Sequence, residues 1–173
     1  PGLPPGTDAR TPELPALDHV DAIAAALLPT LPATFALAGF SFGGYVALAL
    51  LAAAPARITR LALISTGAGA DPAPAVENRK KLIERARTGD YMEADAGLTR
   101  FLLHPSRLED ASVLDVRTRM SRAYGRERFI AHQSAAMTRP DRNGLLPAIT
   151  VPALLAVGSE DKITPLAQHQ QLA

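Results

Sequence analysis

The sequence predicts an α/β fold with parallel strands, on three observations. A short apolar run, Thr34 to Ala38, leads through Gly39-Phe40-Ser41-Phe42-Gly43-Gly44 into an Ala/Leu-rich helical run that ends at Ala53. Two more runs, Arg57 to Ser65 and Ala153 to Gly158, are apolar without alternation, as in parallel strands buried on both faces. Helical periodicity fills the chain between the runs, and strand–helix–strand order favours parallel pairing.

The elements follow in order. Residues 1–16 hold five prolines and two glycines and carry no assigned element. From Asp18 to Leu28 the residues Val20, Ile23, Ala24, Leu27 and Leu28 recur at helical spacing, and Pro29 and Pro32 end the helix. The run from Gly43 to Ala53 is apolar nearly all round, which suits a helix buried against a sheet. Thr66 to Pro72 reads as loop. Composition then shifts: Ala75 to Thr138 is charged and helical in pattern, with helices expected over Val76–Thr88, Tyr91–Leu103, Leu108–Tyr124 and Arg126–Thr138. Arg139 to Gly144 reads as a turn, with Arg139 and Asp141 expected to form a salt bridge across it. After the third strand, Thr164 as N-cap and Pro165 at the first helical position open a final helix. The expected division is a first core part over 1–70, a helical lid over 71–140 and a second core part over 141–173.

Composition narrows the function. The 18 basic and 17 acidic side chains balance, which argues against a nucleic-acid partner or an anionic membrane held by bulk charge. Without cysteine there is no disulfide framework, thiol nucleophile or thiolate metal site. No His/Asp/Glu cluster has ligand spacing, so no metal is expected, and no lysine-bearing phosphate loop suggests a nucleotide. No cofactor is expected. The longest apolar stretch, Val46 to Pro55, is too short to span a bilayer, and the expected location is cytoplasmic.

The chemistry centres on Gly39-Phe40-Ser41-Phe42-Gly43. Between a strand and a helix, Gly-x-Ser-x-Gly reads as a nucleophile elbow: the serine is held in a strained turn with its Oγ at a strand end. Gly39 and Gly43 are expected to permit the close approach of strand and helix, whose N-terminal N–H groups point where an oxyanion would form. The alternative is a glycine-rich turn that carries a serine by chance. A serine nucleophile needs a base, usually histidine, and an orienting carboxylate. Asp161 follows the third apolar run, at the kind of strand end where active residues collect in parallel sheets; its alternative is a plain turn residue. Ser65 and Ser134 are not expected at strained turns. His19 reads as structural, His104 as a partner for helix-terminal carbonyls and His169 as a surface residue. His132 is the best base candidate within the chain.

At these points the sequence resembles the α/β-hydrolase superfamily, in its lidded serine-esterase branch. Gly39 to Gly44 is similar to the superfamily's nucleophile motif, Pro55 to Ile64 to its next helix end and strand, and Val151 to Pro165 to its acid-bearing strand and loop. Gln133 to Asp141 resembles the return from lid to core. The resemblance implies a partial hydrolase-type parallel sheet with a helical lid after the second visible strand. It implies Ser41 as nucleophile, Asp161 as triad acid and the Phe42 N–H as an oxyanion donor, in a serine hydrolase acting on a small-molecule carboxylic ester or related acyl bond. Apolar stripes in the insert point to a small, largely apolar acyl or alkyl group. The family's first strands and its histidine-bearing segment are missing from the match. The chain is therefore expected to be a fragment, with its base beyond Ala173 and with Pro1-Gly2-Leu3 as a candidate remnant of the second oxyanion loop. A catalytically incompetent fragment or binding domain of the same fold is the alternative.

Overall fold

The computed structural model describes residues 4–173. The candidate oxyanion remnant Pro1-Gly2-Leu3 therefore lies outside the described residues. Three strands, β1 (Phe35–Phe40), β2 (Ile58–Ile64) and β3 (Ala153–Ala156), form a parallel sheet in the order β1-β2-β3. Helix α1 (Val20–Leu27) precedes β1, and α2 (Phe42–Ala53) joins β1 to β2. Between β2 and β3 come α3 (Ala73–Thr88), α4 (Tyr91–Ala96), α5 (Thr99–Leu102), α6 (Ala111–Tyr124) and α7 (Arg126–Met137). Helix α8 (Leu166–Gln170) follows β3.

The core is built on α2. One side of it, Val46, Ala49 and Leu50, packs on Val20, Ile23, Ala24 and Leu27 of α1 and on Ala135 of α7. The other side, Ala47, Leu48 and Leu51, packs on Ile58, Leu61 and Leu63 of β2. A helix apolar all round is thus buried on both sides, as its sequence requires. Arg57 closes the turn before β1 by donating to the carbonyls of Leu28, Leu31, Pro32 and Ala33.

Several expectations are corrected. Only one sheet face is covered among the described residues: Leu37, Leu61, Leu63 and Leu155 face the α2 side, whereas Phe40 is 66% and Leu154 60% exposed. The apolar runs could serve two covered faces, but α1 and α2 supply one. The single helix expected over Tyr91–Leu103 is two short ones, α4 and α5. Helix α6 begins at Ala111 because the Asp110 carboxylate caps the N–H groups of Ser112 and Val113. Pro165, not Thr164, is the N-cap of α8. Arg139 does not pair with Asp141. Its guanidinium bonds Asp71 at 2.5 Å and the carbonyls of Gly69 and Ala136, and it stacks over the Tyr45 ring. Asp71 also takes Arg79 at 2.5 Å, while Asp141 caps its neighbour Asn143. This buried ion cluster ties the end of the helical insert to the loop after β2. A salt bridge within the Arg139–Gly144 turn would have left Asp71, with a side chain 5% exposed, without its second cation.

Candidate active site

Strands β1 and β2 are each followed directly by a serine with left-handed backbone. Ser41 has φ 50° and Ser65 φ 44°, and among the described residues they are the two non-glycine positions of this kind. Ser65 is therefore strained, contrary to the sequence reading. Ser-Thr-Gly gave no signal of it; Ser65 lies between the end of β2 and the buried Thr66. Each serine N–H is held by the neighbouring strand, Ser41 by the Ile64 carbonyl and Ser65 by that of Ala156, both at 2.9 Å.

Ser41 is followed at once by α2, as its N-cap residue, and its side chain makes no capping bond. The Phe42 N–H stands at the first helical position, where α-helical N–H groups lack an intrahelical acceptor. Two glycines permit this geometry. A Cβ on Gly39 would lie 2.6 Å from the Gly43 carbonyl oxygen and 2.8 Å from the Ala47 Cβ, and one on Gly44 would overlap the Thr66 side chain. A Cβ on Gly43 would meet nothing, so the close approach rests on Gly39 and Gly44 rather than on Gly39 and Gly43.

Asp161 lies in the loop after β3. Its carboxylate accepts from the N–H groups of Ile163 and Thr164 and from the Thr164 hydroxyl, all at 2.9 Å. Partial burial works to raise its pKa. The Thr164 and Ile163 donors, with a smaller contribution from the Ser65 side chain, more than offset this and hold the carboxyl below the usual aspartate range. A cleft of about 400 Å³ brings Ser41, Ser65 and Asp161 together, walled by Phe40, by Arg100 to Pro105 of the insert and by Gly158 to Thr164. A second hollow of about 460 Å³ lies within the insert, and its lining holds no histidine or carboxylate.

Among the described residues, none of the four histidines hydrogen-bonds Ser41. His132 is buried and stacks on the Phe42 ring at 4.5 Å, yet both ring nitrogens are engaged elsewhere. Nε2 donates to the Pro15 carbonyl at 2.8 Å and Nδ1 accepts from the Tyr124 hydroxyl. Burial holds its pKa below the ordinary histidine value, so it is a neutral structural ring. As a base to Ser41 it is not supported, because a base needs a free nitrogen within reach of the hydroxyl. His104 lines the cleft, but its Nδ1 accepts from Ser106 and its Nε2 donates to Glu160 at 3.1 Å. It caps the start of a turn instead of terminal carbonyls. His19 pairs with Asp18 at the surface. His169 is 4% exposed rather than superficial, and its Nε2 accepts from the Thr66 N–H at 3.0 Å. A five-residue helix rich in Gln gave no apolar stripe to signal that burial.

Among the described residues, no three His, Cys, Asp or Glu side chains converge as metal ligands, and no helix is long and apolar enough to cross a membrane.

Strained strand-end serine, helix N-terminus and a carboxylate at a neighbouring strand end are the marks of an α/β fold with its chemistry at the carboxyl edge of the sheet. The chain belongs to the alpha/beta hydrolase fold family, whose model matches residues 1–173. Among solved structures it is similar to a thermophilic esterase from Thermogutta terrifontis, with 27% identity and a TM-score of 0.75 over 95% of this chain and 63% of that one. It is also similar to an enol-lactonase from Burkholderia xenovorans LB400, with 25% identity and a TM-score of 0.76 over 96% and 64%. A hydrolase from Pseudomonas aeruginosa PA01, at 24% identity, shares the fold with a TM-score of 0.81 over 97% and 64%. The chain thus spans somewhat under two thirds of these relatives' length. No curated protein matches its sequence.

Proposed function

We propose that this chain carries the nucleophile and the acid of a serine hydrolase that cleaves carboxylic esters or related acyl bonds. The observation that carries the reading is Ser41 itself: a strained serine at a strand end, directly against a helix N-terminus, in one cleft with the ionised Asp161. The similar esterase and enol-lactonase are named for cleaving bonds of this class.

In this mechanism Ser41 Oγ attacks the acyl carbonyl while a histidine takes its proton. The tetrahedral oxyanion is stabilised by the Phe42 N–H and a second donor. The histidine returns the proton to the leaving alcohol, giving an acyl-enzyme and free alcohol. Water, deprotonated by the same histidine, then releases the carboxylic acid and restores Ser41. Asp161 orients the ring and stabilises its charged form. The base is proposed to follow Asp161 in the chain order this architecture uses, on a segment beyond Ala173. Residues 71–140 are proposed to act as a lid between core parts 1–70 and 141–173. Phe40, Phe101, Leu102 and Ile163, all half or more exposed in the cleft wall, suit a small apolar acyl or alkyl group.

A fluorophosphonate probe on the full-length protein tests the reading. Labelling that vanishes in Ser41→Ala is the expected result. A folded sample with neither labelling nor ester turnover overturns it and leaves a binding scaffold of the hydrolase fold.

A further inference from the structure

We propose that His169 is a positioning residue for the oxyanion donor, acting through Thr66; this rests on the serine-hydrolase reading above. His169 lies eight residues past Asp161, on α8, and is buried. Its Nε2 accepts from the Thr66 N–H at 3.0 Å, so the neutral ring carries its proton on Nδ1. That Nδ1 is buried without a hydrogen-bond partner among the described residues. An apolar side chain here would avoid that unpaired donor, so the polar contact of this position is the Nε2 bond to Thr66.

Thr66 is wholly buried and works in two directions. Its N–H is held by His169, and its hydroxyl donates to the Ser41 carbonyl at 2.9 Å. The same carbonyl accepts the Gly44 N–H at 2.9 Å. The Thr66 side chain sits so close to Gly44 that a Cβ there would overlap it. Thr66 therefore has little room to move, and two donors hold the direction of the Ser41 carbonyl.

That carbonyl matters because a peptide group is planar. The Ser41 C=O and the Phe42 N–H belong to one trans unit and point in opposite directions. Whatever aims the carbonyl aims the N–H. Bonds accepted by the carbonyl also polarise the unit and strengthen the N–H as a donor. His169, Thr66, the Ser41 carbonyl and the Phe42 N–H thus form one chain of contacts. It runs from the segment after the acid loop to the donor that meets the oxyanion. The oxyanion forms in the tetrahedral intermediate and the transition states around it and is absent from the bound ester, so this chain acts on kcat and not on KM.

The test uses the full-length protein and a chromogenic ester, with fluorophosphonate labelling of wild type and Ser41→Ala beside it. Thr66→Val keeps the shape and the N–H but removes the hydroxyl; kcat is expected to fall about tenfold with KM within about twofold. His169→Leu is expected to lower kcat similarly. His169→Gln, whose amide oxygen can accept the Thr66 N–H, is expected to restore most of it. A nitrogen NMR spectrum of the His169 ring is expected to show the Nδ1–H tautomer. Unchanged kcat in Thr66→Val with Ser41 still labelled overturns this inference and leaves the serine reading intact. Loss of labelling in the wild type overturns the serine reading itself. If Thr66→Val does not fold, the His169 pair decides: equal loss with Leu and Gln, or an Nε2–H tautomer, overturns the inference.

Discussion

Ser41 and Ser65 stand at the ends of adjacent parallel strands, both left-handed, each held by the next strand's carbonyl and both lining one cleft. Their surroundings differ beyond that point. Ser41 runs directly into α2, a helix of 12 residues, whereas Ser65 runs into a loop and the next helix begins at Ala73. Backbone strain by itself therefore does not choose between the two serines as nucleophile. A non-glycine residue at positive φ costs roughly 1–3 kcal/mol wherever it occurs. Ser41 adds a helix N-terminus beside its hydroxyl, and Ser65 adds only a polar neighbour for Asp161.

The sharpest way to break this contrast is to remove each hydroxyl in turn. Ser41→Ala is expected to lower kcat by about 10⁶-fold and to abolish phosphonate labelling. Labelling that persisted at Ser65 would reverse the assignment of the two serines. Asp161→Asn is expected to cost about 10⁴-fold in kcat with the fold intact, because an amide cannot orient and stabilise the charged base. Thermal unfolding of the variant at the wild-type temperature checks that the loss is chemical.

The two turns also differ in how tightly they are built. Gly39→Ala would place a methyl 2.6 Å from the Gly43 carbonyl, in backbone that cannot yield without moving α2. A destabilisation of about 3 kcal/mol is expected from urea denaturation. Gly67→Ala, two residues past Ser65, would meet the end of the Gln168 side chain, which can swing aside. It is expected to cost less than about 1 kcal/mol. Equal costs would show that the Ser41 turn is no more constrained than the other.

How far these differences were legible before the structure depends on where each residue's partner lies. The Ser41 elbow is local: strand, glycine spacing and helix all lie within about 20 residues, and they read correctly apart from the exchange of Gly44 for Gly43. The place of Asp161 at a strand end could be read because it follows the third apolar run, and the cleft holds it there. Ser65, His169 and Arg139 were misread because what decides them is distant in sequence. Ser65 gives its N–H to the Ala156 carbonyl of β3, 91 positions later, and sits beside the buried Thr66. His169 is bound to Thr66, 103 positions earlier, and Arg139 to Asp71, 68 positions earlier, although Asp141 is nearer in the chain. Burial of the sheet was misread for a related reason. Apolar residues at β1 and β3 declare what could be covered, not what covers it.

Acid should separate the two neighbourhoods. His132, stacked on Phe42 beside Ser41, has a folded pKa lowered from 6.5 by burial. The unfolded chain takes up that proton first, so stability falls as pH drops through about 6.5. Asp161, on the Ser65 side, has a folded pKa lowered from 3.8. Its contribution is present above that value and is lost as pH falls through the folded pKa. A melting curve from pH 8 to pH 3 is expected to show two separate losses, the second shared by Asp161 with Asp18, Glu77 and Asp110, whose carboxyls are also held low by their partners. His132→Gln should flatten the first, by a few degrees between pH 7 and pH 5, and leave the second. A first loss that survives the substitution would place the titrating group elsewhere.

The smallest expected effect lies at Ser65. Its side chain is the weakest of the groups that favour ionised Asp161, and the Thr164 and Ile163 donors remain without it. Ser65→Ala is therefore expected to keep kcat within about threefold of wild type. Ser65→Gly separates hydroxyl from strain, since glycine accepts φ 44° without cost. If the strain at Ser65 merely accommodates the strand end, the Gly variant should melt at or above the Ala variant and be equally active. A loss of more than about thirtyfold in the Gly variant alone would mean that the backbone at Ser65 is held in tension for catalysis. The line drawn between the two serines would then have to move from the helix that follows Ser41 to the strain they share.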